Sequence, residues 1–518
     1  MMFLSGSLIS LYLCLSVALA DPVPITPTVT APFGTIIGRK GRLNPTVHEY
    51  LGIPYAKPPT GPLRFAPPVR LPNQKTPITA KEFGLSCPSQ PLSVPANTAF
   101  NFTALEGEDC LSINIWTKPG RNNAPVLVWI YGGGFIFGTS NNILYDGTQF
   151  AANNEVVIAS LNYRTNVFGF PNSPAVSTEN LGILDQRLAL EWIRDNIKSF
   201  GGNPSQMTLF GHSAGGASVE IHSYAWAQDP IVKGYISQSG TAGLTALIGG
   251  GDNYYRWGNL TEKVGCATAG TEKQKLECMQ ALPWENITNG MKALDLSDKA
   301  LGAFAPRVDG KIIFSFEEYK KRADNGLFAK LPMLIGNTDA EFGPGGALSP
   351  NNIGSLQFPK GLTPEQLDTL ASAIVFDCPA KEAARVRAQH KVPIWRYRYF
   401  GSFNFNSTHD ITIGATHGAE LLVLFGTALY MGNPPARERA VIMWMQAAWT
   451  AFAADPSTGL SSAPFKLPLY KPISLSPTLI RLTFKEEVAP SLAYPQEYDG
   501  ICYLVDLIPT GLERRGEE

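Results

Sequence analysis

The pattern of apolar and polar positions changes near Ala124. Residues 21–125 are rich in Pro and Gly and contain only short β-type segments, which predicts an irregular edge with a few strands. The near-continuous apolar runs at 126–131 ("VLVWIY") and 156–163 ("VVIASLNY") are typical of strands covered on both faces. Between 181 and 200, apolar residues recur at helical spacing and predict an amphipathic helix.

The alternation of the two patterns continues toward the C-terminus. A strong helical pattern covers 437–453. Short apolar segments predict four more strands, at 207–210, 234–240, 331–336 and 395–400. This alternation predicts an α/β fold with a large, mostly parallel central sheet covered by helices. Residues 241–330 break it and are expected to form an insertion over the carboxyl edge of the sheet. Because no internal repeat or linker is visible, 21–518 is predicted to be one domain.

Composition and the first twenty residues add a prediction of the cellular compartment. The 518 residues carry a net charge of −1, so no global field favours nucleic acid or an anionic membrane. The apolar stretch 1–20 ends in Ala18-Leu19-Ala20 and predicts a cleaved signal peptide, hence a secreted protein. Its start lacks Lys and Arg, which leaves an uncleaved anchor as the alternative. No later apolar run is long enough to span a bilayer.

Secretion determines how the cysteines are interpreted. Cys14 lies in the signal, and six cysteines in an oxidising route predict three disulfides rather than thiols or a zinc site. Proximity along the chain favours two pairs and leaves the third, namely Cys87 with Cys110, Cys266 with Cys278, and Cys378 with Cys502. Secretion also makes the N-x-[ST] sequons predicted glycosylation sites. These sequons begin at Asn101, Asn259, Asn286 and Asn406.

The most informative short stretch is "TLFGHSAGGAS" (208–218). Gly211-x-Ser213-x-Gly215 follows a predicted strand and precedes a predicted helix, which is the context of a nucleophile elbow. His212 stands next to Ser213, but successive residues of extended backbone point to opposite sides. We therefore expect His212 to line the pocket and a distant histidine to act as the base.

The order nucleophile, acid, base along the chain restricts the partners of Ser213. The loop after the strand at 395–400 contains His409 and His417. His417 is favoured because it is flanked by glycines and leads directly into an apolar helix, whereas His409 adjoins a sequon. The acid should follow the strand at 331–336, where Asp339 and Glu341 both stand, and spacing alone does not choose between them.

A glycine run supplies candidate donors for an oxyanion. "WIYGGGFIFG" places Gly132, Gly133 and Gly134 at the end of a buried strand. Glycines there allow backbone N–H groups to face a ligand, and the residue after the nucleophile, Ala214, offers a second donor. A second run at 249–251 does not follow a sheet strand, and we interpret it as a loop.

These stretches, taken together with others, resemble the type-B carboxylesterase/lipase family, which includes the cholinesterases and neuroligins. The similar stretches span most of the mature chain, at 108–116, 129–138, 180–204, 207–218 and 416–426. The resemblance implies an α/β-hydrolase fold. It also implies Ser213 as nucleophile, Glu341 as acid and His417 as base.

The resemblance assigns further roles and shows two departures. It implies Gly133, Gly134 and Ala214 as oxyanion donors and Ser239 as a support for the acid, and it favours the first two disulfide pairs. The family usually has Glu where His212 stands, and its acid motif usually reads Asp-Glu-Gly, whereas Ala340 and Phe342 flank Glu341. Phe100, ten residues before Cys110, occupies the place of the tryptophan that holds choline in cholinesterases.

The sequence thus predicts a secreted serine hydrolase that cleaves small-molecule carboxylic esters through an acyl-enzyme. No metal, cofactor, nucleic acid or stable membrane anchor is implied. Two alternatives stay open. One is an interfacial lipase whose lid is the loop 87–110, and the other is a non-catalytic, neuroligin-like adhesion protein.

Overall fold

The structure is a computed structural model, and it describes residues 26–89, 105–245, 254–294, 304–343, 358–403, 415–431 and 434–505. Several predictions fall on residues outside these ranges. They are the signal peptide at 1–20, Phe100, most of the proposed lid, His409, and the sequons at Asn101 and Asn406. These remain predictions.

A large mixed sheet of eleven strands and a smaller sheet of three organise the described chain. The strands are β1 Thr28–Ala31, β2 Gly34–Ile37, β3 Arg39–Lys40, β4 His48–Pro54, β5 Ile78–Thr79, β6 Ser112–Thr117, β7 Ala124–Ile130, β8 Val157–Leu161, β9 Gly202–His212, β10 Gly234–Gln238, β11 Met333–Thr338, β12 Ile394–Tyr399, β13 Leu479–Leu482 and β14 Ser491–Ala493. The large sheet has the order β14-β13-β12-β11-β10-β9-β7-β8-β6-β4-β3, and the smaller sheet has the order β1-β2-β5.

The centre of the large sheet is parallel, as the continuous apolar runs predict. Strands β8, β7, β9, β10, β11, β12 and β13 pair in parallel, and antiparallel pairs occur only toward the two ends of the sheet. Every residue of β8, β10 and β11 is buried. A strand buried on both faces needs apolar side chains on both. Parallel pairing also brings the carboxyl ends of β9 to β12 to one edge.

Helices cover the sheet, and their bounds are close to those predicted. The pattern at 181–200 forms a helix at Leu181–Asn196 that tightens into a 3-10 turn, and the pattern at 437–453 forms Ala436–Ala454. The other α-helices are Thr148–Asn153, Asn166–Gly169, Ala214–Ala225, Tyr254–Lys263, Glu272–Ala281, Trp284–Lys292, Phe316–Asp324, Pro364–Ser372, Cys378–Gln389, Leu421–Phe425, Ala428–Met431 and Gln496–Val505.

Residues 254–294 of the interrupting segment pack around a separate apolar cluster that includes Trp257, Leu260 and Met291. Residues further along the segment, such as Phe314 and Phe328, belong to the main core. Arg64 ties this segment to the loop before β6. Its guanidinium forms a buried ion pair with Glu108 and donates hydrogen bonds to the carbonyls of Met279, Gln280 and Leu282, at the C-terminal end of the helix Glu272–Ala281. A cation there satisfies carbonyls that the helix leaves without a partner.

Three disulfides are present, and all three pairings were predicted. They join Cys87 to Cys110, Cys266 to Cys278, and Cys378 to Cys502. The last closes the longest loop and fixes the helix Gln496–Val505 to the start of the helix Cys378–Gln389.

Two of the four sequons lie in the described chain, at Asn259 and Asn286. Both asparagines are exposed, on the helices Tyr254–Lys263 and Trp284–Lys292. No helix within the described ranges is long and apolar enough to cross a membrane.

Candidate active site

Ser213 is the turn between β9 and the helix Ala214–Ala225, as the elbow motif predicts. Its φ of 58° and ψ of −123° are unfavourable for a residue with a side chain, and such strain persists only where neighbouring structure enforces it. Here the Ser213 N–H donates to the Gln238 carbonyl at 2.8 Å, and the Ser213 carbonyl accepts from the Ala217 N–H at 2.8 Å. Ser213 is partly exposed, although both residues beside it are buried.

Close backbone contacts explain the glycines around Ser213. A Cβ atom on Gly215 would lie 2.0 Å from the Ile130 carbonyl oxygen, and one on Gly211 would lie 2.6 Å from the Gly215 carbonyl carbon. Gly240, which the sequence analysis did not single out, is equally constrained, because its Cβ would lie 2.0 Å from the Ser213 carbonyl oxygen. The elbow is therefore packed backbone against backbone.

The structure distinguishes the two candidate acids. Asp339 lies partly exposed and binds Arg398, with 2.8 Å between Asp339 Oδ1 and Arg398 Nε. Glu341 is fully buried, and its Oε2 lies 2.5 Å from His417 Nδ1. Its other oxygen, Oε1, accepts hydrogen bonds from the Ser239 hydroxyl and the Thr338 N–H, both at 2.7 Å. The carboxylate next to the histidine is thus Glu341.

Burial and hydrogen bonding shift the pKa of the Glu341 carboxyl in opposite directions. Burial is the larger effect and raises the pKa of Glu341 to about 7, although the donors Ser239 and Thr338 stabilise the ionised form and oppose this rise. Thr338 donates through its main chain, so its side-chain type gives no signal in the sequence. Ser239 makes the contact that the family resemblance implies for it.

His417 follows β12 in a segment that leads into the helix Leu421–Phe425. Its N–H donates to the Glu341 carbonyl at 3.2 Å, so main chain and side chain both hold it against the acid. Burial lowers the pKa of His417, which favours the neutral imidazole. A neutral ring whose Nδ1 proton points to Glu341 leaves Nε2 free to accept a proton.

Two aromatic rings contact the His417 imidazole. The His212 ring centre lies 4.4 Å away and the Phe376 ring centre 4.9 Å away. His212 is buried, as expected for a residue at the end of an inner strand. Phe376 is not recognisable from the sequence, because it lies 41 positions from His417 in the chain and belongs to no known motif.

The glycine run after β7 lies against Ser213. A Cβ on Gly132 would lie 2.8 Å from the Ser213 Cβ. Gly133 and Gly134 have φ values of 114° and 60°, a region that favours glycine. Ala214 is the first residue of its helix, where a backbone N–H has no partner within the helix. These residues supply candidate N–H donors close to Ser213.

A mostly parallel sheet that carries a strained serine turn at its carboxyl edge is the architecture of an α/β-hydrolase. A match to a protein-family profile identifies the class of enzyme more narrowly than the fold does. The profile of the "Carboxylesterase family" matches residues 25–360 and 360–488. The chain therefore belongs to the carboxylesterase family and is a carboxylic ester hydrolase.

Similar curated proteins support this assignment over most of their length. The chain is 34% identical to secreted lipase 5 of Gibberella zeae over 456 residues, which is 82% of this chain and 84% of the lipase. It is 34% identical to a chlorogenic acid esterase of Aspergillus niger, with 82% of each chain covered. It is 30% identical to the para-nitrobenzyl esterase of Bacillus subtilis, with 83% of this chain and 90% of the esterase covered.

Proposed function

We propose that this protein is a secreted serine hydrolase that cleaves carboxylic esters through an acyl-enzyme, with Ser213, His417 and Glu341 as its catalytic triad. The observation that carries the proposal is the buried hydrogen bond between Glu341 Oε2 and His417 Nδ1 at the sheet edge where the Ser213 turn lies. That hydrogen bond selects the tautomer in which His417 Nε2 carries no proton, as a general base requires.

The reaction proceeds in two steps that share one base. Ser213 Oγ attacks the ester carbonyl carbon while His417 takes its proton, and the N–H groups of Gly133, Gly134 and Ala214 stabilise the oxyanion. His417 then returns the proton to the departing alcohol. Water repeats the sequence on the acyl-enzyme, releases the carboxylic acid and restores Ser213. Glu341 stabilises the imidazolium in both steps.

Secretion is part of the same proposal. The signal peptide predicted at 1–20 supports it, and three disulfides suit an oxidising compartment. One similar protein is named as a secreted lipase. We infer that the exposed sequons at Asn259 and Asn286 are glycosylated during export.

The direct test is labelling with a fluorophosphonate probe, which reacts with activated serines. We expect stoichiometric labelling of the wild-type enzyme at Ser213, mapped by peptide mass spectrometry, and no labelling of Ser213→Ala. Ser205→Ala is the matched control, because Ser205 is an exposed serine of the same strand, β9, and this variant is expected to be labelled at Ser213 as the wild type is. Labelling that persists in Ser213→Ala, or a folded wild-type protein without labelling, would contradict the triad.

Neutral esters are expected to be hydrolysed in preference to choline esters. Phe100 stands where the cholinesterases have tryptophan, and a Phe ring holds a cation less well. His212 replaces the family's glutamate, and its burial lowers its pKa well below the usual value and leaves it uncharged. The measurement is kcat/KM for a choline ester against an uncharged isostere with the same acyl group. A cation preference above about tenfold, or about 1.4 kcal/mol, would refute this expectation.

A further inference from the structure

The imidazole of His417 is held by rings as well as by its acid. The centre of the His212 ring lies 4.4 Å from it at an interplanar angle of 44°, and that of Phe376 lies 4.9 Å away at 34°. Within the described ranges, His212 and Phe376 make no ring contact with each other, so they meet the imidazole from different directions. Glu341 holds the ring at Nδ1. Rotation of the imidazole away from Glu341 would therefore disrupt packing with both rings.

The chain fixes both rings firmly. His212 is the last residue of β9, an inner strand, and it is 1% exposed. Phe376 belongs to a π-helical turn, Ala373–Asp377, between two α-helices. Such turns are rare in proteins, and many of those that occur lie at functional sites. The next residue, Asp377, accepts hydrogen bonds from Asn337 and Arg398. This anchor fixes the turn that carries Phe376.

The His212 ring packs against the His417 imidazole and carries no negative charge. Its Nε2 is buried and has no hydrogen-bond partner in the part of the chain that the structure describes. Several titratable or charged groups surround the His417–Glu341 pair, namely His212 on β9, Asp377 at the end of the π-helical turn, Arg398 on β12, and Glu420 after His417. The group in ring contact with His417 on the β9 side is thus an imidazole, where the family usually has a carboxylate.

We propose that His212 and Phe376 are positioning residues that hold the His417 imidazole in its catalytic orientation through ring packing, and that His212 does so without adding an anion beside the imidazolium. This rests on the proposed function, in which His417 is the base. A general base must keep its geometry within a fraction of an ångström, so loss of either ring affects turnover more than substrate binding.

The first part of the test removes and restores the rings. His212→Ala and Phe376→Ala are each expected to lower kcat about tenfold and to change KM by less than about threefold, with an uncharged p-nitrophenyl ester as substrate. His212→Phe, which restores an aromatic ring, should recover kcat to within about threefold of wild type. His222→Ala is the matched control. His222 is also a buried histidine with an unpaired Nε2 and a ring neighbour, Trp226, and its loss should leave kcat near wild type.

The second part of the test introduces a carboxylate at position 212. His212→Glu places a carboxylate beside His417, which stabilises the imidazolium and raises the pKa of His417. The acidic limb of the profile of kcat against pH should therefore move to higher pH by about one unit or more. His212→Phe should leave the limb near its wild-type position. If His212→Glu does not fold, the comparison of His212→Ala with His212→Phe still decides the packing claim.

The outcomes separate this proposal from the proposed function. If Ser213 is labelled and active, yet His212→Ala and Phe376→Ala keep wild-type kcat, the positioning roles are overturned. A folded His212→Glu enzyme with an unmoved acidic limb overturns the electrostatic part. A decrease in kcat in His222→Ala equal to that in His212→Ala would show a general effect of core disruption and would also overturn the assignment. Failure of the proposed function is a different result, because Ser213 then remains unlabelled in folded wild-type protein.

Discussion

Replacement of His417 by Ala is expected to lower kcat by about 10⁴- to 10⁶-fold. Without the imidazole, no group held by Glu341 can accept the Ser213 proton, and the alcohol leaving group loses its proton donor. The oxyanion donors and the substrate pocket remain, so some acceleration over water should persist. The measurement is kcat and KM for an uncharged p-nitrophenyl ester, together with thermal unfolding to establish that the variant is folded.

The matched control is His409→Ala. His409 stands in the same segment of sequence after β12 and was the other candidate base. Its replacement is expected to change kcat by less than about threefold. A folded His417→Ala enzyme that keeps more than about a tenth of the wild-type kcat would contradict the assignment of the base, and so would a large loss in His409→Ala.

Replacement of Glu341 by Gln is expected to lower kcat by about 10⁴-fold with little change in KM. Glu341 Oε1 accepts from Ser239 and Thr338, so the amide oxygen of Gln would take that place and its NH₂ group would face His417 Nδ1. A donor facing Nδ1 favours the tautomer with the proton on Nε2. That tautomer cannot accept the proton of Ser213, although the geometry is almost unchanged.

Asp339→Asn provides the comparison for Glu341→Gln. Both variants neutralise a carboxylate in the same loop, but Asp339 binds Arg398 instead of His417. We expect kcat of Asp339→Asn to stay within about threefold of wild type. Equal losses in the two variants would mean that the charge of the loop matters and the tautomer does not.

The sequence predicts the elements that repeat a simple pattern. Continuous apolar runs identify the inner strands to within a few residues, as at Ala124–Ile130 and Val157–Leu161. The exception is β9, which begins at Gly202 although its apolar run begins only at Met207. Its first residues are more polar, and Gly202 joins the sheet by pairing with Ala124 across a register shift. The hydrophobicity of these residues does not indicate that pairing.

The residues of the candidate site also differ in how well the sequence predicts them. Ser213 can be predicted because the strained turn requires glycines at fixed distances from the serine, and that requirement is visible in the sequence. The choice between Asp339 and Glu341 required the family resemblance, because both stand in one loop and differ only in which partner the folded chain brings to them. Phe376 could not be predicted, since its contact with His417 depends on a π-helical turn whose sequence carries no distinctive signal.

The Cys378–Cys502 disulfide joins the last described helix to the residue that follows the π-helical turn. Only Asp377 separates Cys378 from Phe376, so one covalent bridge links the C-terminal helix to a residue whose ring contacts His417. Attachment of the enzyme to a solid support through this helix would transmit any pull on the helix toward the His417 imidazole. The C-terminal helix, though far from Ser213 in sequence, is thus a poor anchoring point for an immobilised form of this enzyme.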